Sequence, residues 1–425
     1  MKRLICILLF INSLCCLAQR HGLQGQVRAG DAVVKPGIEV LAGRGFEGLK
    51  GKRVGLLTNP SGVDRQLRST IDILYKSPDV NLVALFAPEH GVRGDVYAGG
   101  QVTGGKDETT GLPVYSVYGS TRKPTPEMLK GLDIVVYDIQ DVGTRSYTFI
   151  SSLGLMMQAC AEQGIEVMVL DRPNPLGGNK VEGSYVQPGF FSFVSQYKIP
   201  YIYGLTVGEL ANLINEEGLN RGQKGTDQPL KCKLSVIPME GWTRDMTFVQ
   251  TGLPWILPSP NIPYPQTAID YPCAGLSGEC PNYLNIGIGY TLPFEVFAAE
   301  WIDADKLKAE LDSYNLPGIS FRTIHFTPFS GSKQGKLIHG VQYYFTDYES
   351  AMITMTQFYV MQAVHKLYPE RDPFKTGNYA MFDKCCGTDF IRKTFSASYR
   401  VDDILRFWTQ DVDGFKRLSA KYHLY

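Results

Sequence analysis

Carboxylates are the side chains of this sequence best placed to do chemistry. Glu89 stands in Ala87-Pro88-Glu89-His90-Gly91, and Asp138 and Asp141 stand three apart in Asp138-Ile139-Gln140-Asp141-Val142-Gly143. Glycosidic cleavage uses one carboxyl group to protonate the leaving oxygen and a second group to stabilise or attack the anomeric carbon. These residues suit that reaction class. Basic and amide side chains accompany them, among them Arg93, Arg145, Arg172, Asn59 and Asn174. An arginine such as Arg145 can clamp a substrate carboxylate through its two-pronged guanidinium. His90 serves either catalysis or the ordering of its loop, and Tyr147 either substrate contact or packing at a helix start. Any one of these residues is also an ordinary cap or turn former. Their joint placement carries the reading.

Other chemistries find less support. No G-x-G-x-x-G follows the first strand, and Gly99–Gly105 lacks both the strand-turn-helix setting and the lysine of a phosphate cradle. G-x-S-x-G, HExxH and CxxC are absent, so neither a metal nor a cofactor is expected. Forty-two basic and 42 acidic residues cancel, which gives no overall field for nucleic acid or an anionic membrane.

The elements that must position these groups follow an alternating pattern. Short apolar runs at Arg53–Leu57, Leu82–Phe86, Ile134–Tyr137 and Glu166–Leu170, with a further one at Pro113–Val117, alternate with helical patterns at Leu67–Tyr75 and Tyr147–Gln163. That alternation predicts a Rossmann-like parallel sheet flanked by helices. Each of the four main runs ends in a polar loop, and ligands in open α/β sheets sit outside the carboxyl ends of the strands. Asn59, Glu89, Asp138, Asp141, Asp171 and Arg172 are therefore expected on one rim. Thr206 with Glu209 forms a capping box for a helix over Thr206–Glu216. Trp242–Pro272, rich in proline and aromatics, is expected as a long ordered loop. Beyond it come a helix near Ala304–Ser313, strands near Ile319–His325 and Leu337–Phe345, and helices over Ser350–Leu367 and Val401–Gln410. The chain thus reads as a signal segment 1–18, a Rossmann-like domain 19–272 and a smaller α+β domain 273–425.

The signal segment rests on Lys2 and Arg3 before the apolar run Leu4–Leu17, with Cys16-Leu17-Ala18 as its cleavage site. A periplasmic or secreted protein without stable membrane insertion is expected. Of nine cysteines, six remain after residue 18, and Cys273 with Cys280 is a candidate local disulfide.

GLLTNPSGVD, LFAPEHGVRGD, TGLPVYSVYG, YDIQDVGTRSYT, VLDRPNPLGG with VEG, GLTVGELANLIN, and MEGWTRDM with TGLPWILPSPNIP occur in order from about residue 38 to 265. Together they resemble the NamZ-type exo-β-N-acetylmuramidases. The resemblance implies release of N-acetylmuramic acid, or a related amino sugar, from the non-reducing end of peptidoglycan-derived saccharides or muropeptides. It marks Glu89 as the catalytic acid. It also places Asp138, Asp141, Arg145, Asp171, Arg172 and Asn174 in the cleft, with Glu182 of VEG and Asn261 of PSPN among the matched segments, and offers Arg93 or Arg145 to the lactyl carboxylate. Three departures stand out: Tyr203 and Phe345 replace usual histidines, and 278–290 lacks the usual arginine. The alternative reading is a catalytically silent protein that binds cell-wall saccharide, and a hydrolase of another bond class remains open.

Overall fold

The computed structural model describes residues 34–94, 100, 104–220, 228–375 and 377–425. The expected signal segment and much of Gly99–Gly105 lie outside them. Among the described residues the first sheet has seven strands: β1 (Arg53–Thr58), β2 (Asn81–Ala87), β3 (Gly105–Lys106), β4 (Pro113–Ser116), β5 (Ile134–Asp138), β6 (Glu166–Leu170) and β7 (Leu234–Ile237). Their order is β3-β4-β2-β1-β5-β6-β7, all parallel except the β3–β4 pair. The alternation of side chains along a strand explains the two helical layers. Val135, Tyr137, Val167 and Val169 face helices Phe149–Gln163 and Val207–Glu217, whereas Ile134, Val136, Met168 and Leu170 face Gly37–Gly43 and Thr70–Lys76. The four main expected strands and Pro113–Val117 fall within a residue of their observed bounds. β7 was not expected.

A second sheet is antiparallel, in the order β8-β10-β9, built from β8 (Val296–Ala299), β9 (Ile319–Phe326) and β10 (Ile338–Phe345). Helices Ala304–Ser313, Ile353–Leu367 and Pro265–Gly278 pack with it around a separate core. The last of these corrects the expected loop over Trp242–Pro272. Pro265 occupies the first helical turn, where its missing N–H is no loss. Pro272 lies inside the helix, and nearby carbonyls gain tertiary donors: Tyr343 Oη donates to the Asp270 carbonyl at 3.1 Å and Gln357 Nε2 to the Pro272 carbonyl at 3.1 Å. The helix runs unbroken through residues 272 and 273.

The chain end returns to the first domain. Phe415 joins its core, and Tyr425 Oη donates to Asp171 Oδ2 at 2.7 Å. Among the described residues all six cysteines are free and buried. The expected Cys273–Cys280 bridge does not form: Cys273 lies inside helix Pro265–Gly278 and Cys280 two residues past its end, and both are free.

Candidate active site

Glu89 follows the carboxyl end of β2 in a tight turn. The Gly91 N–H donates to the Pro88 carbonyl at 3.1 Å, and His90, the third turn residue, has φ +74°. A left-handed histidine is uncommon and costs of order 1–3 kcal/mol, a strain that collects at functional sites. Burial of its imidazole, edge-on to Phe149 at 6.5 Å, helps hold it there. The turn presents Glu89 half-buried between two hydroxyls: Tyr118 Oη donates to Oε1 at 2.8 Å and Thr148 Oγ1 to Oε2 at 3.1 Å. Thr148 sits at the N-cap of helix Phe149–Gln163 yet gives the helix no side-chain cap. Its hydroxyl is spent on Glu89 instead.

Asp141 lies deeper. Its Oδ2 accepts from the Gly143 N–H at 2.8 Å and from the Tyr203 hydroxyl, whereas the buried Oδ1 has no hydrogen-bond donor among the described residues. Burial pushes this carboxyl up to about 6, with Tyr203 and the Gly143 and Val142 N–H groups opposing the rise. The loop needs glycine at 143: φ is +77°, and a Cβ there would stand 2.3 Å from Asn174 Oδ1. Tyr147 links the two carboxyl groups electrostatically. Its hydroxyl is raised well above the ordinary tyrosine value by burial first, then by Asp141, with Glu89 contributing. Its ring meets Tyr271 edge-on at 5.7 Å, and Tyr271 shares a 3.0 Å hydrogen bond with Ser146.

The remaining expected residues divide sharply from these. Asp138 is fully buried and bound by both prongs of Arg172, Nε to Oδ1 at 2.5 Å and Nη2 to Oδ2 at 2.9 Å, with Thr70 donating to Oδ2. The Asp138 expected as a catalytic carboxylate and the Arg172 expected as a substrate ligand are thus held as a buried pair. Asp171 accepts from the Thr206 hydroxyl at 2.7 Å and the Gly208 N–H at 2.8 Å, which anchors helix Val207–Glu217. A Cβ on residue 208 would sit 2.7 Å from its carboxyl carbon. Burial holds Asp171 at about 6.

Arg145 is held by the backbone. Fully buried, it donates to the carbonyls of Ser184, Ile199, Cys385 and Cys386 at 2.7–3.0 Å. It ties the second domain to the first through both terminal nitrogens, and its buried Nε has no partner among the described residues. Arg93 is bidentate to Asp107 at 2.9 and 3.1 Å and lies 3.5 Å from Asp72. Asp107 drops to about 2, chiefly through the hydrogen bond from Arg93.

Asn59 accepts from the Ser61 N–H at 3.0 Å and donates to the Pro258 carbonyl at 3.3 Å, and Asn174 bonds Leu176 and Leu205 backbone groups. Glu182 caps helix Ile353–Leu367 through the Ile353 and Thr354 N–H groups at 3.1 and 2.8 Å. Asn261 is half-buried in the turn before Pro265. Of the expected site residues, Glu89, Asp141 and Tyr147 are related through the charges felt at the Tyr147 hydroxyl, and His90 and Tyr147 both meet the Phe149 ring edge-on. Tyr118 and Thr148 are not singled out by the sequence although TGLPVYSVYG and YDIQDVGTRSYT contain them, since a motif does not say which of its residues face the site. Tyr203 had been noticed only as a departure from a family pattern. Among the described residues no group of three or more His, Cys, Asp or Glu is placed to hold a metal ion.

Comparison with known proteins returns two family profiles in tandem. Residues 54–266 match "Exo-beta-N-acetylmuramidase NamZ, N-terminal" and residues 269–425 match its C-terminal counterpart. The chain is 45% identical over 393 residues to the peptidoglycan beta-N-acetylmuramidase NamZ of Bacillus subtilis (strain 168), spanning 92% of this chain and 91% of that one. It is also similar to two crystal structures of DUF1343 family proteins from Bacteroides fragilis NCTC 9343. One is 52% identical with a TM-score of 0.87, covering 93% of this chain and 99% of the other. The second is 28% identical with a TM-score of 0.71, covering 92% and 99%.

Proposed function

The chain belongs to the exo-beta-N-acetylmuramidase NamZ family, and from that premise we propose that it is a glycosidase of peptidoglycan fragments whose proton donor is Glu89. It releases N-acetylmuramic acid, or a close amino sugar, from the non-reducing end. The observation that carries the role of Glu89 is its suspension between the hydroxyls of Tyr118 and Thr148 at the end of β2. A hydroxyl donates to a carboxylate and, after rotation, accepts from a carboxylic acid. The same two partners therefore serve Glu89 before and after it gives its proton to the leaving oxygen. A guanidinium, which only donates, would favour the ionised form alone.

Asp141 is sealed from solvent and acts on the site through Tyr147 and Tyr203, as a positioning group. The apolar N-terminal run supports export to the periplasm or beyond, where such fragments arise.

The test is sugar release from a chromogenic β-N-acetylmuraminide and from the matching glucosaminide, by wild type and Glu89→Gln. Turnover of the muraminide that collapses in the variant supports the reading. Saccharide affinity without release in either form would leave a binding protein, and unchanged release in the variant would remove Glu89 from the chemistry.

A further inference from the structure

A muraminide differs from a glucosaminide by an O-lactyl group bearing a carboxylate, and the two arginines that the resemblance offers to that carboxylate are both engaged elsewhere. Arg145 donates to four backbone carbonyls in the interior, and Arg93 is bidentate to Asp107. A cation that nothing in the motif pattern singled out lies beside Glu89.

We infer that Arg122 binds the lactyl carboxylate of the substrate and is the specificity-determining residue of the site. The inference rests on the glycosidase reading above and follows from a closed circuit of contacts. Tyr118 donates to Glu89 at 2.8 Å, and its ring lies 6.3 Å from that of Phe193, tilted by 52°. The Phe193 carbonyl accepts from Ser151 Oγ at 2.7 Å, in the first turn of helix Phe149–Gln163. Thr148, at the N-terminal boundary of that same helix, closes the circuit by donating to Glu89 at 3.1 Å.

Arg122 lies over the Phe193 face, its guanidinium carbon 4.4 Å from the ring centroid. That geometry holds the planar guanidinium by cation–π attraction and leaves its edge donors open. Among the described residues no carboxylate pairs with it, although the neighbouring Lys123 is paired with Glu162 at 2.8 Å. The side chain is exposed, as a group that meets a ligand from solvent must be. Its charge is felt at the Tyr118 hydroxyl, which it lowers against the larger rise from burial and Glu89. Arg122 and Glu89 thus flank one tyrosine, so a sugar whose glycosidic oxygen meets Glu89 carries its O-lactyl arm toward the guanidinium. A fork of N–H donors matches a carboxylate bidentately and an amide poorly.

The test measures binding of free N-acetylmuramic acid and of its lactyl amide by calorimetry, to wild type, Arg122→Gln and Arg122→Lys. Muraminide turnover is followed in parallel. Arg122→Gln is expected to weaken binding of the free acid about 10- to 100-fold, the range for hydrogen bonds to a charged group. It should leave the amide unchanged and raise KM with little change in kcat. Arg122→Lys should fall between, because it keeps the charge and loses the fork. Equal weakening for acid and amide, or none for either, overturns the inference. A wild type that binds the acid through Arg122 but releases no sugar would instead overturn the glycosidase reading and leave the carboxylate site standing.

Discussion

Two polar clusters stand at the carboxyl edge of the same sheet and have opposite characters. The first occupies the switch point between β1 and β5, where the strand order reverses and α/β sheets usually open a ligand crevice. Here it is closed. Asp138 and Arg172 neutralise one another, Thr58 Oγ1 donates to the Asp138 carbonyl at 2.7 Å, and Ser61 Oγ accepts from the Gln140 N–H at 2.9 Å. The second lies one strand outward at the end of β2, where Glu89 is half-buried and touched by hydroxyls on a strained turn. Position at a strand end is common to both. What separates them is that Asp138 is gripped by a guanidinium, which only donates, whereas Glu89 is touched by two hydroxyls, which can donate or accept.

The sharpest way to break this contrast is Glu89→Gln, which should lower turnover by about 10²- to 10⁴-fold, the range of general acid catalysis, with an unchanged melting curve. Arg172→Ala should do the reverse. It strands Asp138 in the interior and should cost about 3–5 kcal/mol of stability in urea melts, so a variant that melts normally would refute the closed-cluster view. Asp141→Asn probes the group between the two. Burial raises this carboxyl from 3.8 to about 6, so the folded state holds its proton more tightly than the unfolded chain. The stability it contributes is full below pH 3.8 and fades as pH rises through 6, by on the order of 3 kcal/mol. Stability measured between pH 4 and 7 should fall less steeply in the variant, with Asp171 supplying the slope that remains. The smallest effect is expected for Tyr118→Phe, which removes one hydroxyl from Glu89 and should lower kcat/KM about tenfold.

How much of this was legible beforehand follows from the range of each interaction. Strands β1, β2, β5 and β6 were visible because burial on both faces demands continuous apolar runs. β7 and β8 escaped notice as four-residue segments, and helix Pro265–Gly278 was hidden by its prolines. Of the site, Glu89 was legible because it ends a strand within a distinctive loop. Arg145 illustrates what a motif leaves open. A motif marks an arginine as indispensable and cannot say whether its partners are a substrate or the carbonyls of residues 184, 199, 385 and 386.

The sequence by itself determined the central strands β1, β2, β5 and β6, the loops at their ends that carry polar groups, and the family, since these depend on local patterning and on motifs contiguous in the chain. Only the tertiary structure decided which polar groups were left to do chemistry. Glu89 meets Thr148 from 59 residues away, and Asp138 meets Arg172 from 34. Whether a buried charge is neutralised or held ready depends on such distant partners, because desolvation and hydrogen bonding act through space and not along the chain.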